Sequence, residues 1–139
     1  MLKMLGTGFG INTAIHGIDI LYLIAGRPKG LTNTLFTLQN YMRYPVEPIY
    51  EVVNKLTRPI TKPVVNKLNT ALREQAIDET THALAWATTI SIKPLLSTSI
   101  AYYLFKKANS YQETIEKLKA EIAIDEQMLK ALPNVPAQQ

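Results

Sequence analysis

The 139-residue sequence contains no cysteine and is poor in charged side chains. The absence of cysteine excludes disulfides, thiolate ligands for zinc and thiol nucleophiles from this chain. Charged residues make up 19% of the sequence, below the roughly 25% of an average soluble domain. This deficit favours a protein embedded in a membrane or among other subunits over a freely soluble domain.

The motifs that carry enzyme chemistry are also missing. Gly6, Gly8 and Gly10 lack the spacing of a dinucleotide-binding loop, and no Gly-Lys-Ser/Thr follows them. Neither His16 nor His82 belongs to a motif with the ligand spacing of a zinc site. The serines and threonines of the apolar segments have no base beside them. We therefore expect no catalytic, cofactor-binding or metal-binding residues and no small-molecule substrate.

Two apolar segments, 4–26 and 83–105, carry one charged residue each, Asp19 and Lys93. A helix over the 23 residues of 83–105 would be about 34 Å long, enough for a hydrocarbon core of roughly 30 Å. The segment before Gly26 is about as long. Both segments are predicted helices and possible membrane spans, the second interrupted at its midpoint by Lys93-Pro94.

The opposite charges of Asp19 and Lys93 favour a pairing of the two apolar segments. A lone lysine at the centre of a membrane helix costs about 2.5–3.5 kcal/mol on insertion scales, and polar residues within spans face protein. We therefore expect Asp19 and Lys93 to form an intramembrane ion pair, within the chain or with a partner subunit. A proton relay that also uses His16 is conceivable, but a structural polar contact is favoured. A soluble bundle in which Lys93 reaches solvent at a proline kink is the alternative.

Aromatic and basic side chains flank the second apolar segment. Trp86 lies near its start, and a cluster of two tyrosines and two lysines lies at its end. Such a distribution is typical of residues at a membrane interface. The predicted interfacial anchors are Trp86, Tyr102, Tyr103, Lys106 and Lys107.

The segment between the apolar helices is basic and rich in proline. Leucines and Met42 at helical spacing predict an amphipathic helix over 31–44. The five residues at 52–56 recur at 64–68, and the intervening prolines predict two short helices, with Pro63 opening the second. Nucleic-acid binding is disfavoured because five acidic residues dilute the basic ones here.

The C-terminal segment shows the clearest helical pattern. Ser110 and Glu113 have the spacing of a capping box at a helix start. Apolar residues then alternate at spacings of four and three, interrupted once by Asp125, which is typical of a coiled-coil seam. Three heptads rarely form a stable helix alone, so we expect a partner. The predicted seam comprises Tyr111, Ile115, Leu118, Ile122, Leu129 and Leu132.

Together these patterns predict an all-α fold in a small membrane protein with two apolar helices that are candidate transmembrane spans. The predicted function is that of a non-catalytic accessory subunit whose partners are other subunits of a larger complex and membrane lipids. An energy-transducing inner membrane or a virion membrane would suit it. The alternatives are a peripheral lipid-binding or membrane-remodelling protein and a soluble helical adaptor. The predicted parts are the apolar helix 1–26, the basic loop 27–80, the apolar helix 81–107, the partner-binding helix 108–132 and the tail 133–139.

Overall fold

The structure is a computed structural model that describes residues 1–133. Within that range the chain forms helices and no strand, so the predicted all-α class is confirmed. Single 3-10 turns at Lys29–Leu31 and Tyr44–Val46 link the first three helices. The helices are α1 Leu2–Ile24, α2 Thr32–Arg43, α3 Glu47–Arg73, α4 Glu79–Ile90 and α5 Ile92–Ala131.

Helix α1 is the centre of the fold. It packs most extensively on α5 and also contacts α2, α3 and α4. Two of its glycines allow neighbours to approach closely: a Cβ at Gly6 would meet the Phe105 ring at 3.0 Å, and one at Gly8 would meet the Ile49 Cδ1 at 2.5 Å. The contacts place α1 between α5 on one side and the start of α3 on another.

The interior is unusually polar for a helical protein. Buried apolar residues include Ile15, Leu23 and Val53, but an equal number of buried residues are polar. Buried polar side chains need hydrogen-bond partners, because desolvation without one costs about 1–3 kcal/mol. The buried polar residues are Asn12, His16, Thr57, Thr61, His82 and Ser97.

The prediction of membrane-spanning helices over 4–26 and 83–105 is not supported. None of the helices in residues 1–133 has both the length and the apolar character needed to cross a bilayer.

The break in the second apolar segment lies at Ser91 rather than at Lys93-Pro94. Helix α4 ends at Ile90, and α5 begins at Ile92. Pro94 therefore lies in the first turn of α5, where a backbone N–H would have no partner within the helix. The proline is tolerated there. The predicted interruption of the segment is therefore present, and it lies two residues before Lys93.

The prediction of two short helices around Pro59 and Pro63 was wrong. Helix α3 runs without a break from Glu47 to Arg73 and contains both prolines. Each proline removes only one hydrogen bond, that to the carbonyl four residues earlier. Both prolines are exposed, so water can satisfy the carbonyls that they leave free. The amphipathic contacts on either side hold the helix together.

The predicted capping box at Ser110 and Glu113 was also wrong. Both residues lie inside α5, which is continuous for 40 residues. The carbonyl of Ser110 accepts a hydrogen bond from the Thr114 hydroxyl at 3.0 Å. No helix start exists there, so there are no free backbone donors for the box to satisfy. The predicted boundary between 107 and 108 is likewise absent.

Candidate functional site

A cavity of about 380 Å³ lies beside α1, between α2 and the junction of α4 with α5. We call it the Lys93 cavity. More than half of the residues in its walls are aliphatic or aromatic. The cavity opens to the surface at Phe36 and Arg27, which are both exposed. The apolar lining comes from Ile18, Leu23, Leu35, Phe36, Trp86 and Ile90. Apolar walls with a few polar groups are the common composition of small-molecule sites.

Three charged residues line this cavity: Asp19, Arg27 and Lys93. The predicted partners Asp19 and Lys93 thus lie on one cavity, but no salt bridge joins them in the described part of the chain. Asp19 is engaged elsewhere. Its Oδ1 accepts a hydrogen bond from Gln39 Nε2 at 2.6 Å, and its Oδ2 lies 3.8 Å from His16 Nδ1.

The Lys93 side chain is half-buried, and its ammonium group has neither a hydrogen bond nor a salt bridge among residues 1–133. Burial lowers the pKa of its ammonium group from the usual value of 10.5. The negative charge of Asp19 opposes that change without cancelling it. A cation kept in a desolvated position without a direct partner favours the approach of an anion.

Arg27 stands at the opening of the cavity in a constrained backbone conformation. Its φ is 55°, in the left-handed region that non-glycine residues seldom adopt. Its backbone N–H donates to the Tyr22 carbonyl at 3.0 Å, which closes the end of α1. Its guanidinium lies 5.0 Å from the centre of the Trp86 ring. The cap and the cation–π contact together fix a positive charge beside an aromatic wall.

The polar residues at the centre of α1 connect the cavity to the rest of the interior. His16 stacks on the Tyr50 ring at 5.3 Å, and the Arg43 guanidinium lies 4.2 Å from the centre of that ring. One turn earlier, Asn12 donates to Ser97 on α5 at 2.7 Å. The buried atoms Asn12 Oδ1 and His16 Nε2 have no hydrogen-bond partner. These contacts fit a structural polar layer, not a continuous relay.

The predicted interfacial anchors do not form one group. Trp86 faces inward, lines the Lys93 cavity and makes an edge contact with the buried His82. His82 in turn shares a 2.9 Å hydrogen bond with Asn69 and so links α4 to α3. The other four predicted anchors are exposed on α5, where Lys107 lies 5.9 Å from the centre of the Tyr103 ring.

All of the predicted seam residues but Leu132, which follows the end of α5, lie on an exposed helical arm. We define the α5 arm as residues 109–131, every one of which is exposed. At 1.5 Å per residue its 23 residues extend about 34 Å. Lys3 reaches the start of the arm and donates to Gln112 at 2.9 Å. The seam residues have exposed fractions from 51% for Ile115 to 67% for Leu129.

The sequence pointed to Asp19 and Lys93, and to Trp86 as an interfacial anchor, but not to Arg27 or Gln39. Arg27, Gln39 and Trp86 belong to three separate segments, and no spacing in the sequence connects them. A search for helix-capping residues could have placed Arg27 at the end of α1, since it follows Gly26. Comparisons with protein-family models, with curated proteins and with solved structures find no match for this chain.

Proposed function

We propose that this chain is a non-catalytic accessory subunit of a larger membrane-associated complex, held in place by its apolar exterior and by the α5 arm. The observation that carries the proposal is the distribution of polarity. Buried polar residues are as numerous as buried apolar side chains, whereas the exposed large apolar side chains far outnumber the buried ones. An apolar exterior of this extent marks a surface that other molecules cover.

The area of the surface supports the same proposal. The chain exposes 10494 Å², against roughly 7,200 Å² expected for a compact monomer of its mass. The excess is on the order of 3,000 Å², within the range of areas buried in obligate complexes. A folded state with so much exposed surface is favoured when partners cover part of it.

The α5 arm supplies a defined docking element. Its seam presents Ile115, Leu118 and Ile122 at the spacing with which one helix packs against another. Asp125 lies on the same seam. In a parallel pair of identical arms the two Asp125 side chains would face each other, which is unfavourable. The arm therefore fits a helix of another subunit with a basic residue at that level.

A second apolar surface lies at the N-terminal end of α1, the end that also contacts the start of the arm. A groove of about 830 Å³ there is lined by Met1, Met4, Ile11, Val46 and Ile49 and has no charged side chain in its lining. Groove and arm are formed by different parts of the chain, so the subunit has two apolar surfaces to cover. Such a shape suits a chain that joins neighbours, in keeping with a structural role.

The test is the size and composition of the native assembly. The full chain carrying an affinity tag is extracted in mild detergent, separated by size, and its co-purifying proteins are identified. We expect migration well above the 15.6 kDa of the chain, with the same subunits in fixed proportion. A monodisperse monomer, recovered without detergent and free of partners, would contradict the proposal and favour a soluble adaptor.

The membrane setting is a separate part of the proposal. It rests on the exposed apolar surface and on the tyrosines and lysines at 102–107, a combination found at membrane interfaces. An energy-transducing inner membrane and a virion membrane are the settings proposed. Carbonate extraction tests it: the complex should stay with the membrane pellet, and complete release into the supernatant would contradict membrane embedding.

Peripheral lipid binding is the second candidate, and α3 favours it. This helix exposes Val52, Leu56 and Ile60 at four-residue spacing, close to the exposed Lys55 and Lys62. Apolar residues beside lysines are typical of helices that lie on anionic membrane surfaces. Flotation of the purified chain with phosphatidylserine vesicles, lost at high salt, would support this candidate. Absence of flotation would exclude it.

A further inference from the structure

We propose that the Lys93 cavity binds a single-chain amphiphile with an anionic headgroup, of the fatty-acid type. The headgroup would lie between Lys93 and Arg27, and the chain would lie along the wall formed by Ile18, Leu35 and Ile90. This binding site is independent of the role as an accessory subunit, and either can fail without the other.

The charges of the cavity determine the sign of the ligand. Lys93 and Arg27 contribute two positive charges, and Asp19 contributes one negative charge. Asp19 is already bonded to Gln39 Nε2 at 2.6 Å, so its carboxylate has a partner. Lys93 has none among residues 1–133. An anionic headgroup would therefore satisfy a cation that the protein leaves without a partner.

The apolar walls and the volume of the cavity indicate that the ligand also has an alkyl chain. A volume of about 380 Å³ falls in the range of small-molecule sites, roughly 300–1,000 Å³. Aliphatic and aromatic side chains make up most of its lining, and transfer of an alkyl chain from water onto them is favourable. A small inorganic anion would leave these walls in contact with water, whereas an amphiphile would cover them.

The position of Lys93 points the same way. A half-buried ammonium without a direct partner costs stability, because it loses part of its hydration and nothing replaces it. An anionic headgroup in the cavity that Lys93 lines would remove that cost. The positive φ of Arg27 belongs to the end of α1, as that of Gln75 belongs to the end of α3. Arg27 contributes its charge to the cavity.

Trp86 provides a direct readout because it is the single tryptophan of the chain and lines the cavity. Decanoate is titrated into the full-length protein while the fluorescence of Trp86 is followed, with decan-1-ol and decyltrimethylammonium in parallel. Calorimetry provides a second measurement that does not depend on Trp86. We expect saturable binding of decanoate, at least about tenfold tighter than that of the alcohol. Equal or tighter binding of the alcohol or the cation would overturn the proposal.

Substitutions then assign the binding to the cavity. Lys93→Gln and Arg27→Gln should each weaken decanoate binding about tenfold, and Lys93→Arg should largely restore it. Asp19→Asn should tighten binding because it removes the opposing charge. Lys55→Gln, an exposed lysine on α3 away from the cavity, is the matched control. Circular dichroism verifies folding. Unchanged affinity in both Arg27→Gln and Lys93→Gln, or an equal loss in Lys55→Gln, would overturn the proposal.

Discussion

Asn12 on α1 donates its side-chain amide to the Ser97 hydroxyl on α5 at 2.7 Å, and both residues are fully buried. The bond joins the two helices that share the most extensive contact in the fold. A neutral hydrogen bond stabilises a protein by only about 1 kcal/mol, but a buried donor left without a partner costs about 1–3 kcal/mol. The polar interior of this protein therefore depends on specific pairs.

Ser97→Ala should lower the free energy of unfolding by about 1–3 kcal/mol, because it leaves the Asn12 amide buried without this acceptor. Ser99→Ala is the control, since Ser99 is exposed and bonds only the Leu95 carbonyl of its own helix. That variant should change stability by less than about 0.5 kcal/mol. Urea unfolding measures both. Similar losses in the two variants would show that the buried pair does not stabilise the α1–α5 contact.

The glycines of α1 give a second prediction. A Cβ at Gly10 meets nothing within 4 Å, so Gly10→Ala should stabilise the protein by about 0.5–1 kcal/mol through helix propensity. A Cβ at Gly6 would meet the Phe105 ring at 3.0 Å, so Gly6→Ala should gain less or lose stability. The midpoints of thermal unfolding of both variants measure these changes in stability. A larger gain at Gly6 than at Gly10 would contradict the close packing of α1 on α5.

Lys93 gives a prediction about pH. Its lowered pKa means that the unfolded chain binds the proton more tightly, so stability should rise as the pH increases toward 10.5, the usual lysine value. Lys93→Met removes the desolvated charge and should be more stable than the wild type at neutral pH. It should also lose this Lys93 contribution to the pH dependence. Urea midpoints measured at neutral and alkaline pH test both, and a less stable Lys93→Met would contradict the account.

The fold class was predictable from the sequence, whereas the contacts of Asp19 and Lys93 were not. The all-α class followed from helical periodicity. The predicted ion pair of Asp19 with Lys93 is absent from the described residues, although both side chains line one cavity, and Asp19 is bonded to Gln39 instead. A rule based on charge cannot predict that the neutral side chain of Gln39, on α2, donates the hydrogen bond to Asp19. That contact depends on how α2 packs on α1, which is a tertiary property.

The errors in the helix boundaries have a common physical cause. Proline and capping signals are local, so they predicted breaks at Pro59, Pro63 and Ser110 that the continuous helices α3 and α5 do not have. A helix keeps all but one of its backbone bonds at each proline, and packing on neighbours outweighs the loss. Pro94 removes no hydrogen bond within α5, because it lies in the first turn of that helix. The sequence does not reveal that α5 begins at Ile92.

Asp125 allows a test of how the seam selects its partner. Asp125→Leu would complete the apolar seam and remove the repulsion between two parallel arms. We expect the variant to self-associate with a dissociation constant at least about tenfold lower than that of the wild type. Gln127→Leu, an exposed arm residue outside the seam, should have no such effect. Analytical ultracentrifugation of the three proteins compares them, and equal association of both variants would count against a directional seam.

The central claim, that the α5 arm anchors the chain in a larger complex, is tested most directly by co-purification of matched seam variants. Ile115→Gln combined with Ile122→Gln removes two seam residues, whereas Ile124→Gln removes an isoleucine of similar exposure, 55%, outside the seam. All these residues are exposed, so each variant should fold with stability close to that of the wild type. We predict that the double variant loses its co-purifying subunits while Ile124→Gln retains them. Retention of the same partners by the double variant would contradict the account.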